Sequence, residues 1–319
     1  MARSAAVLRL IWQRLAVALP TLVLISMMVF GLQKLLPGDP IIALAGEERS
    51  PQAIEYLREK YRFNDPIALQ YVHWVADIAQ GDFGRSIRTR LPIGDMLAEK
   101  LPVTLELAVF SMLFAVVIGV PLGIVAALRR GSLIDFGASL FGLLGLSVPN
   151  FWLGIMLILL FSVHLGWLPA GGFVSPATSL LGNLKSLLLP SIVLGAHTAA
   201  ILMRHTRGAM LVALKQDYVR TARAKGVKGS VIVLRHALPN ALIPVVTLGT
   251  LQFGELLAGA VLTEQVFGIP GFGKMIVDGV FSRDYAVVQA VVLCTAAIFL
   301  LMSLLADVAY VLLNPRMRT

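Results

Sequence analysis

The sequence predicts an all-α polytopic membrane protein with six transmembrane helices and a long polar insertion after the first helix. Of its 319 residues, 57% are hydrophobic and only 14% are charged, whereas soluble globular domains carry about 25% charged residues. Runs such as 136–163 and 286–313 hold almost no charge over more than the roughly 20 residues that cross a bilayer. The charged residues lie mostly between such runs, which favours a bundle of membrane-spanning helices.

The amino-terminal region has some features of a signal peptide, because arginines precede an apolar stretch and small residues at 43–45 mimic a cleavage site. The apolar stretch 16–36 is nevertheless long enough to span a membrane. The motif Pro37-Gly38-Asp39-Pro40 also separates it from the small residues. We therefore expect a retained first helix within an amino-terminal unit at 1–36.

Hydrophobic runs predict the helices in order. We place the six spans at 16–36, 103–127, 137–163, 187–205, 238–261 and 286–311. The even number puts both termini on one side of the membrane, and the last five spans form a predicted core at 103–319. Pro121, Pro149, Pro190 and Pro244 lie inside spans, where they serve either ordinary packing or a translocation path.

The basic residues set the predicted orientation. One face holds more than half of the 27 lysines and arginines, and they lie at positions 3, 9, 14, 129, 130, 316 and 318 and in a long loop at 206–237 with the adjoining Arg204. Positively charged loops stay in the cytoplasm. The sequence therefore predicts a multi-pass membrane protein with both termini cytoplasmic.

The opposite face holds a mixed-charge insertion at 37–102, which this topology makes periplasmic. Short helices are expected at 55–60 and 71–80. The insertion is too short to be an independent catalytic domain.

Several function classes are disfavoured by the residues. The net charge of +9 could suggest nucleic-acid binding, but the positive charges lie beside apolar runs and form no basic groove interleaved with aromatic residues. The single cysteine, Cys294, has no partner for a disulfide or a thiolate metal site. We predict no nucleic-acid partner and no metal site.

The segment Gly268–Met275 matches a phosphate-binding loop except at its last position. Met275 lacks the hydroxyl that such a loop uses to hold magnesium, and the predicted topology places the segment outside the cytoplasm. The histidines are scattered, and no nucleophile elbow is present. We therefore predict no catalytic residue, no cofactor and no ATPase activity in this chain.

Ionisable residues that fall inside predicted spans include Glu106, His197, Glu255 and Asp307. A charge costs about 2.5 to 3.5 kcal/mol at a helix centre. Glu255 lies deepest, and it either lines a translocation path or pairs across helices. Glu106 and Asp307 lie nearer helix ends, where an interfacial position is expected.

The basic loop predicts a short helix from Asp217 to Lys225, ended by Gly226. Helical spacing puts Tyr218, Thr221, Ala222 and Lys225 on one face. Its small residues would let another protein approach closely. The alternative is a solvated basic face, or one that rests on anionic lipid.

The loop resembles the EAA loop of binding-protein-dependent ABC permeases, through Arg220-Thr221-Ala222, Gly226 and Leu238-Pro239. Arg220 and Thr221 replace the glutamate and first alanine of the general pattern, as in the dipeptide, oligopeptide and nickel branch. Further motifs are similar to that branch's first permease: 36–40, 81–86, 147–151, 167–169, Thr263-Glu264, Phe267 and Pro270-Gly271.

The resemblance implies a type I importer permease fold in the bacterial inner (plasma) membrane. It also implies transport of peptide-like solutes, driven by separate ATPase subunits. It assigns ATPase coupling to Asp217, Tyr218, Arg220, Thr221, Ala222, Arg223, Ala224, Lys225 and Gly226. Implied partners are a homologous second permease, two cytoplasmic ATPases, a periplasmic or lipid-anchored solute-binding protein and membrane lipid. A secondary transporter or channel is the alternative, and it would need a coupling-ion site beyond Glu255. The solute stays open among dipeptides, oligopeptides, glutathione, nickel chelates and opines.

Overall fold

The computed structural model describes residues 2–35, 50–60 and 62–313. The predicted motif at 36–40 and the terminal residues Arg316 and Arg318 lie outside the described residues. Within them all regular secondary structure is helical, apart from an isolated bridge that pairs Arg85 with Pro92.

The helices are joined by connections of unequal length, and the longest in the described residues are 80–92 and 165–179. The helices are α1 (Ala2–Leu35), α2 (Pro51–Lys60), α3 (Ile67–Ala79), α4 (Ile93–Leu128), α5 (Leu133–Ser147), α6 (Asn150–Leu157, continued by a π-helical turn Ile158–His164), α7 (Leu180–Ala213), α8 (Asp217–Ala224), α9 (Gly229–Phe267), α10 (Phe272–Phe281) and α11 (Tyr285–Leu313). The helix α9 contains a second π-helical segment, Ile232–Ala237.

Five of these helices, α1, α4, α7, α9 and α11, are long and apolar enough to cross a membrane in the described part of the chain. The helix expected at 137–163 is not continuous, and its predicted irregularity at Ser147-Val148-Pro149 is a full break. Its residues form α5 and α6, which meet at an angle of 105° and make at most one bent span. The break falls at Val148 and Pro149, where both residues are extended, because a residue before proline avoids the helical region.

The long helices extend beyond the predicted apolar runs. The helix α4 begins at Ile93, ten residues before the predicted start, because Ile93 and Leu97 are buried against α10 and α11. An unbroken apolar run marks only the part of a helix that is apolar on every side. Tertiary packing can extend the helix at either end by turns that are apolar on one side only. The helix α9 is lengthened in the same way at its start, where Ile232 is buried under α8.

The centre of the bundle is the parallel pair α4 and α7. Gly119 and Gly123 lie directly on the α7 backbone, where an added Cβ would come within 2.5 Å of the Ala199 carbonyl oxygen and 2.6 Å of that of Met203. Small residues let membrane helices approach closely. In the apolar 18-residue stretch of α7, 72% of the residues are buried, against 28% or less in the corresponding stretches of the other long helices. The helix α7 is therefore the central helix.

The bundle has two distinct ends. The basic end consists of residues 129–132 and 214–231, and the insertion end consists of α2, α3 and α10. The predicted insertion helices are confirmed, although α3 begins at Ile67. At the insertion end α1 packs on α3 through Phe30, Tyr71 and Trp74, with ring centroids 5.6 to 6.2 Å apart.

Candidate functional site

The basic loop folds as predicted into a two-turn helix, α8, with a defined stop. Gly226 has φ +73, a left-handed conformation that glycine adopts without steric cost. The Val227 N–H donates to the Ala222 carbonyl at 3.2 Å and the Gly226 N–H to the Arg223 carbonyl at 2.9 Å. This pair of bonds is a Schellman motif, which satisfies the last carbonyls of the helix.

The Schellman motif that ends α8 also determines which side of this helix is buried. A Schellman motif brings its last two apolar positions into contact, and here Ala222 and Val227 pack together with Val219 and Ile232. Val219 is fully buried and Ala222 is only 8% exposed. The predicted common face is therefore wrong for Ala222, which contacts its own chain while Tyr218, Thr221 and Lys225 are exposed.

The opposite side of α8 carries a continuous set of exposed residues. We define the exposed strip of α8 as Asp217, Arg220, Thr221 and Ala224, which lie at i, i+3, i+4 and i+7. The Thr221 hydroxyl donates to the Asp217 carbonyl at 2.9 Å. Tyr218, Arg223 and Lys225 flank the strip and are also exposed.

Contact with Ile232 joins α8 to the segment Ile232–Ala237 near the start of α9. That segment is π-helical and contains Arg235 and His236. Such wide turns in long helices occur often at functional sites. Because Val219 and Ala222 are packed on Ile232, α8 and the start of α9 form one packed unit.

The ionisable residues predicted inside the membrane have different surroundings. Glu255 is exposed on α9 and has no hydrogen bond or ion pair within the described residues, so the pairing alternative is not met inside this chain. Asp307 pairs with Arg14 of α1, with nitrogen to oxygen distances of 2.7 and 2.8 Å. Glu106 and His197 are partly buried.

Sequence reasoning names Glu264 only within a family motif and does not predict its burial, although it is fully buried, more so than any other carboxylate of the described residues. The Thr104 hydroxyl donates to it at 2.6 Å and the Lys274 N–H at 2.9 Å. The Phe272 N–H in turn donates to the Thr104 oxygen at 2.8 Å. These four residues, the Glu264 cluster, join α4, α9 and α10.

The segment that resembles a phosphate-binding loop is part of this cluster. Its backbone N–H groups at the start of α10 point at the Glu264 carboxylate, and the absence of side chains at Gly271 and Gly273 leaves room for it. Helix N-termini provide hydrogen-bond donors that commonly bind anions, and here a carboxyl group of the chain itself occupies that position. A signal was present in the sequence, because Glu264 closely precedes a glycine-rich turn.

A second carboxylate cluster lies near the basic end. Asp135, at the start of α5, accepts two hydrogen bonds from Arg207 of α7, at 2.6 and 2.8 Å. The Gly131 N–H donates to it at 3.0 Å. The described residues contain no group of three or more His, Cys, Asp or Glu side chains arranged to hold a metal ion.

Comparison with known proteins places these features in a family. The model of "Binding-protein-dependent transport system inner membrane component" matches residues 119–319, and a model of the corresponding amino-terminal region matches residues 7–108. The chain is 42% identical to the di/tripeptide transport system permease protein DppB of Pseudomonas aeruginosa, over 98% of this chain and 99% of that protein. It is 42% identical to the glutathione transport system permease protein GsiC of Escherichia coli, over 96% and 97%.

Solved structures share the fold at lower identity. A structure of the MetNI methionine ABC transporter in an inward-facing conformation matches with a TM-score of 0.56 and 19% identity, over 69% of this chain and 96% of that chain. An amino acid ABC transporter matches with a TM-score of 0.50 and 18% identity. These matches confirm the predicted fold class.

Proposed function

Because the chain belongs to the family of binding-protein-dependent transport system inner membrane components, we propose that it is one permease of an ATP-driven importer of peptide-like solutes. Relatives named as di/tripeptide and glutathione permeases support this solute class, since each matches almost the entire chain. The chain then supplies half of a path, and a homologous second permease supplies the other half. A periplasmic or lipid-anchored binding protein delivers the solute.

We infer that the basic end faces the cytoplasm, with both termini on that side, and that the insertion at 37–102 faces the periplasm. The charge asymmetry supports this orientation. The ATPase activity then belongs to two separate cytoplasmic subunits. The Gly-rich turn at the start of α10 is on the other side of the membrane, and Glu264 already holds its backbone donors.

The exposed strip of α8 carries the coupling proposal. It projects from a helix whose other side is packed on the start of α9, so force applied to the strip is transmitted to a membrane helix. Thr221 and Ala224 are small, which permits a close contact with a partner surface. Gly226 and Lys225 contribute to this unit by ending α8, and Ala222 contributes by holding it on Ile232.

The test compares a bulky residue on the two sides of α8. Ala224→Trp should prevent docking of the ATPase by overfilling the contact, while the permease still inserts and keeps its thermal stability. Loss of a well-packed contact commonly costs about 2 kcal/mol or more, which weakens association more than tenfold. Co-purification of the ATPase and ATP-driven uptake in proteoliposomes measure the effect, with Lys215→Ala as the control.

Ala222→Trp should fail in a different way. It displaces α8 from Val227 and Ile232, so it should lower the thermal stability of the permease as well as ATPase association. If Ala224→Trp retains both uptake and ATPase association, the exposed strip is a solvated or lipid-facing surface. Uptake that proceeds without ATP would instead indicate a secondary transporter.

A further inference from the structure

A cleft opens between α5, α7 and α9 on the half of the bundle nearer the basic end. Its volume is about 490 Å³, within the range of ~300 to 1,000 Å³ that small-molecule sites occupy. The residues that line it include Leu146, Ile201, Arg204, His205, Gly208 and Pro244. We call this cavity the α7 cleft.

Two basic side chains of the α7 cleft lack a partner in the structure. Arg204 and His205 are exposed and make no hydrogen bond or ion pair with any described residue. Arg207, one turn further along α7, is held by Asp135 through two hydrogen bonds. The fold therefore neutralises one arginine of this helix and leaves the other lining the cleft.

The position of Arg204 makes an unpaired guanidinium costly. The helix α7 has 34 residues, which at 1.5 Å per residue gives about 51 Å, longer than the roughly 30 Å hydrocarbon layer. Arg204 precedes the last residue, Ala213, by nine positions, or about 13 Å. With α7 centred on that layer, about 10 Å of helix extends beyond each side, so Arg204 lies near the inner edge of the hydrocarbon layer, where acyl chains solvate a cation poorly.

The α7 cleft has α7, the central helix, as its floor. Half of the 34 residues of α7 are buried, and Arg204, His205 and Gly208 belong to the part of its surface that is open. A cleft with an interior helix as its floor and two basic side chains suits a water-filled path better than an acyl chain. Gly208 adds space, because nothing lies within 4 Å of a Cβ built there.

We propose that the α7 cleft is the inner section of the translocation path and that Arg204 binds the carboxylate of the solute passing through it. A guanidinium binds a carboxylate with two parallel hydrogen bonds. Every linear peptide with a free carboxyl terminus offers this group whatever its side chains, so one arginine serves a mixture of peptides. The apolar walls accept varied side chains without selecting among them. This inference rests on the proposed function of the chain.

The experiment measures occupancy of the cleft directly, without relying on selection by the binding protein. Gly208→Cys in a Cys294→Ser background places a thiol in the cleft of the complete transporter. A thiol-reactive reagent labels this cysteine, and the label is quantified on the permease band of a gel. Alanyl-alanine should protect this thiol, and alanyl-alanine amide should need at least about ten times the concentration, because it lacks the charged acceptor. Arg204→Gln should abolish the difference between the two peptides.

Further variants separate binding from folding and from general charge. Arg204→Lys keeps the charge but loses the paired hydrogen bonds, and it should give intermediate discrimination. Lys215→Gln removes an exposed cation at the basic end and should leave discrimination unchanged. Equal protection by acid and amide, or equal loss of discrimination in Lys215→Gln, overturns the proposal.

Two more outcomes identify other causes. If anionic phosphatidylglycerol nanodiscs protect the thiol without peptide and phosphatidylcholine nanodiscs do not, Arg204 binds lipid headgroups and the proposal is wrong. If ATP-driven peptide uptake is intact but peptide gives no protection, only the path assignment fails. If the transporter takes up no peptide at all, the solute class of the proposed function fails first.

Discussion

The two ends of the helix bundle hold their buried carboxylates in different ways. At the insertion end, Glu264 is surrounded by neutral donors from Thr104 and the start of α10. Near the basic end, Asp135 faces the guanidinium of Arg207. The first arrangement joins three elements through hydrogen bonds to one carboxylate, whereas the second joins two helices through an ion pair.

This difference predicts different consequences of mutation. Removing a shared acceptor leaves several buried donors without partners, and no other group can replace it. Removing one member of an ion pair leaves the other member charged and unpaired. A second substitution can remove that remaining charge as well. At the insertion end, no second substitution should therefore restore the stability that is lost when Glu264 is replaced. The Asp135–Arg207 pair, in contrast, should be replaceable by apolar residues.

The largest effect is expected for Glu264→Ala. The Lys274 N–H and the Thr104 hydroxyl lose their acceptor and a cavity forms, so the permease should lose about 3 kcal/mol or more of stability. Glu264→Gln keeps one acceptor oxygen and should lose less. Thermal unfolding of the detergent-solubilised permease measures both, with the exposed neighbour change Gln265→Ala as the control. Equal stability of Glu264→Ala and Gln265→Ala would contradict the role of the cluster.

An intermediate effect is expected for Asp135→Leu. The change leaves Arg207 without its partner, although the Arg207 side chain is 30% exposed and can regain some solvation. The melting temperature should fall less than in Glu264→Ala. The double variant Asp135→Leu/Arg207→Met should recover most of the loss, because an apolar pair replaces the ion pair. A double variant no more stable than the single one would show that the two ends do not differ in this way.

The positions of these carboxylates show where sequence reasoning succeeds and where it stops. Hydropathy located the membrane helices, and the glycine stop located α8, because both depend on local residue types. Glu255 and Glu264 lie nine residues apart on α9, and hydropathy gives no means of ranking them. Glu264 is buried because α10 folds back onto it, which is a tertiary contact.

The orientation of α8 shows the same limit. Helical spacing groups residues by face, but it does not say which face meets the protein. Helical spacing groups Ala222 with residues that are exposed, whereas its contact with Val227 in the Schellman motif buries it against its own chain. The 105° bend between α5 and α6 is similar, since Pro149 indicates a break without fixing its angle.

The smallest effect is expected for the ion pair between Arg14 and Asp307, which joins α1 to α11. The side chains are 49% and 26% exposed, so water or lipid headgroups can replace each partner, and exposed pairs contribute about 0 to 1 kcal/mol. The helix α1 is also held at its other end by Phe30 against Tyr71 and Trp74, which remain when the ion pair is lost. A double-mutant cycle with Arg14→Gln and Asp307→Asn should therefore give a coupling energy below about 1 kcal/mol in thermal unfolding. A coupling energy as large as the loss in Glu264→Ala would mean that this ion pair is the main attachment of α1, and that burial does not rank the carboxylates of this protein.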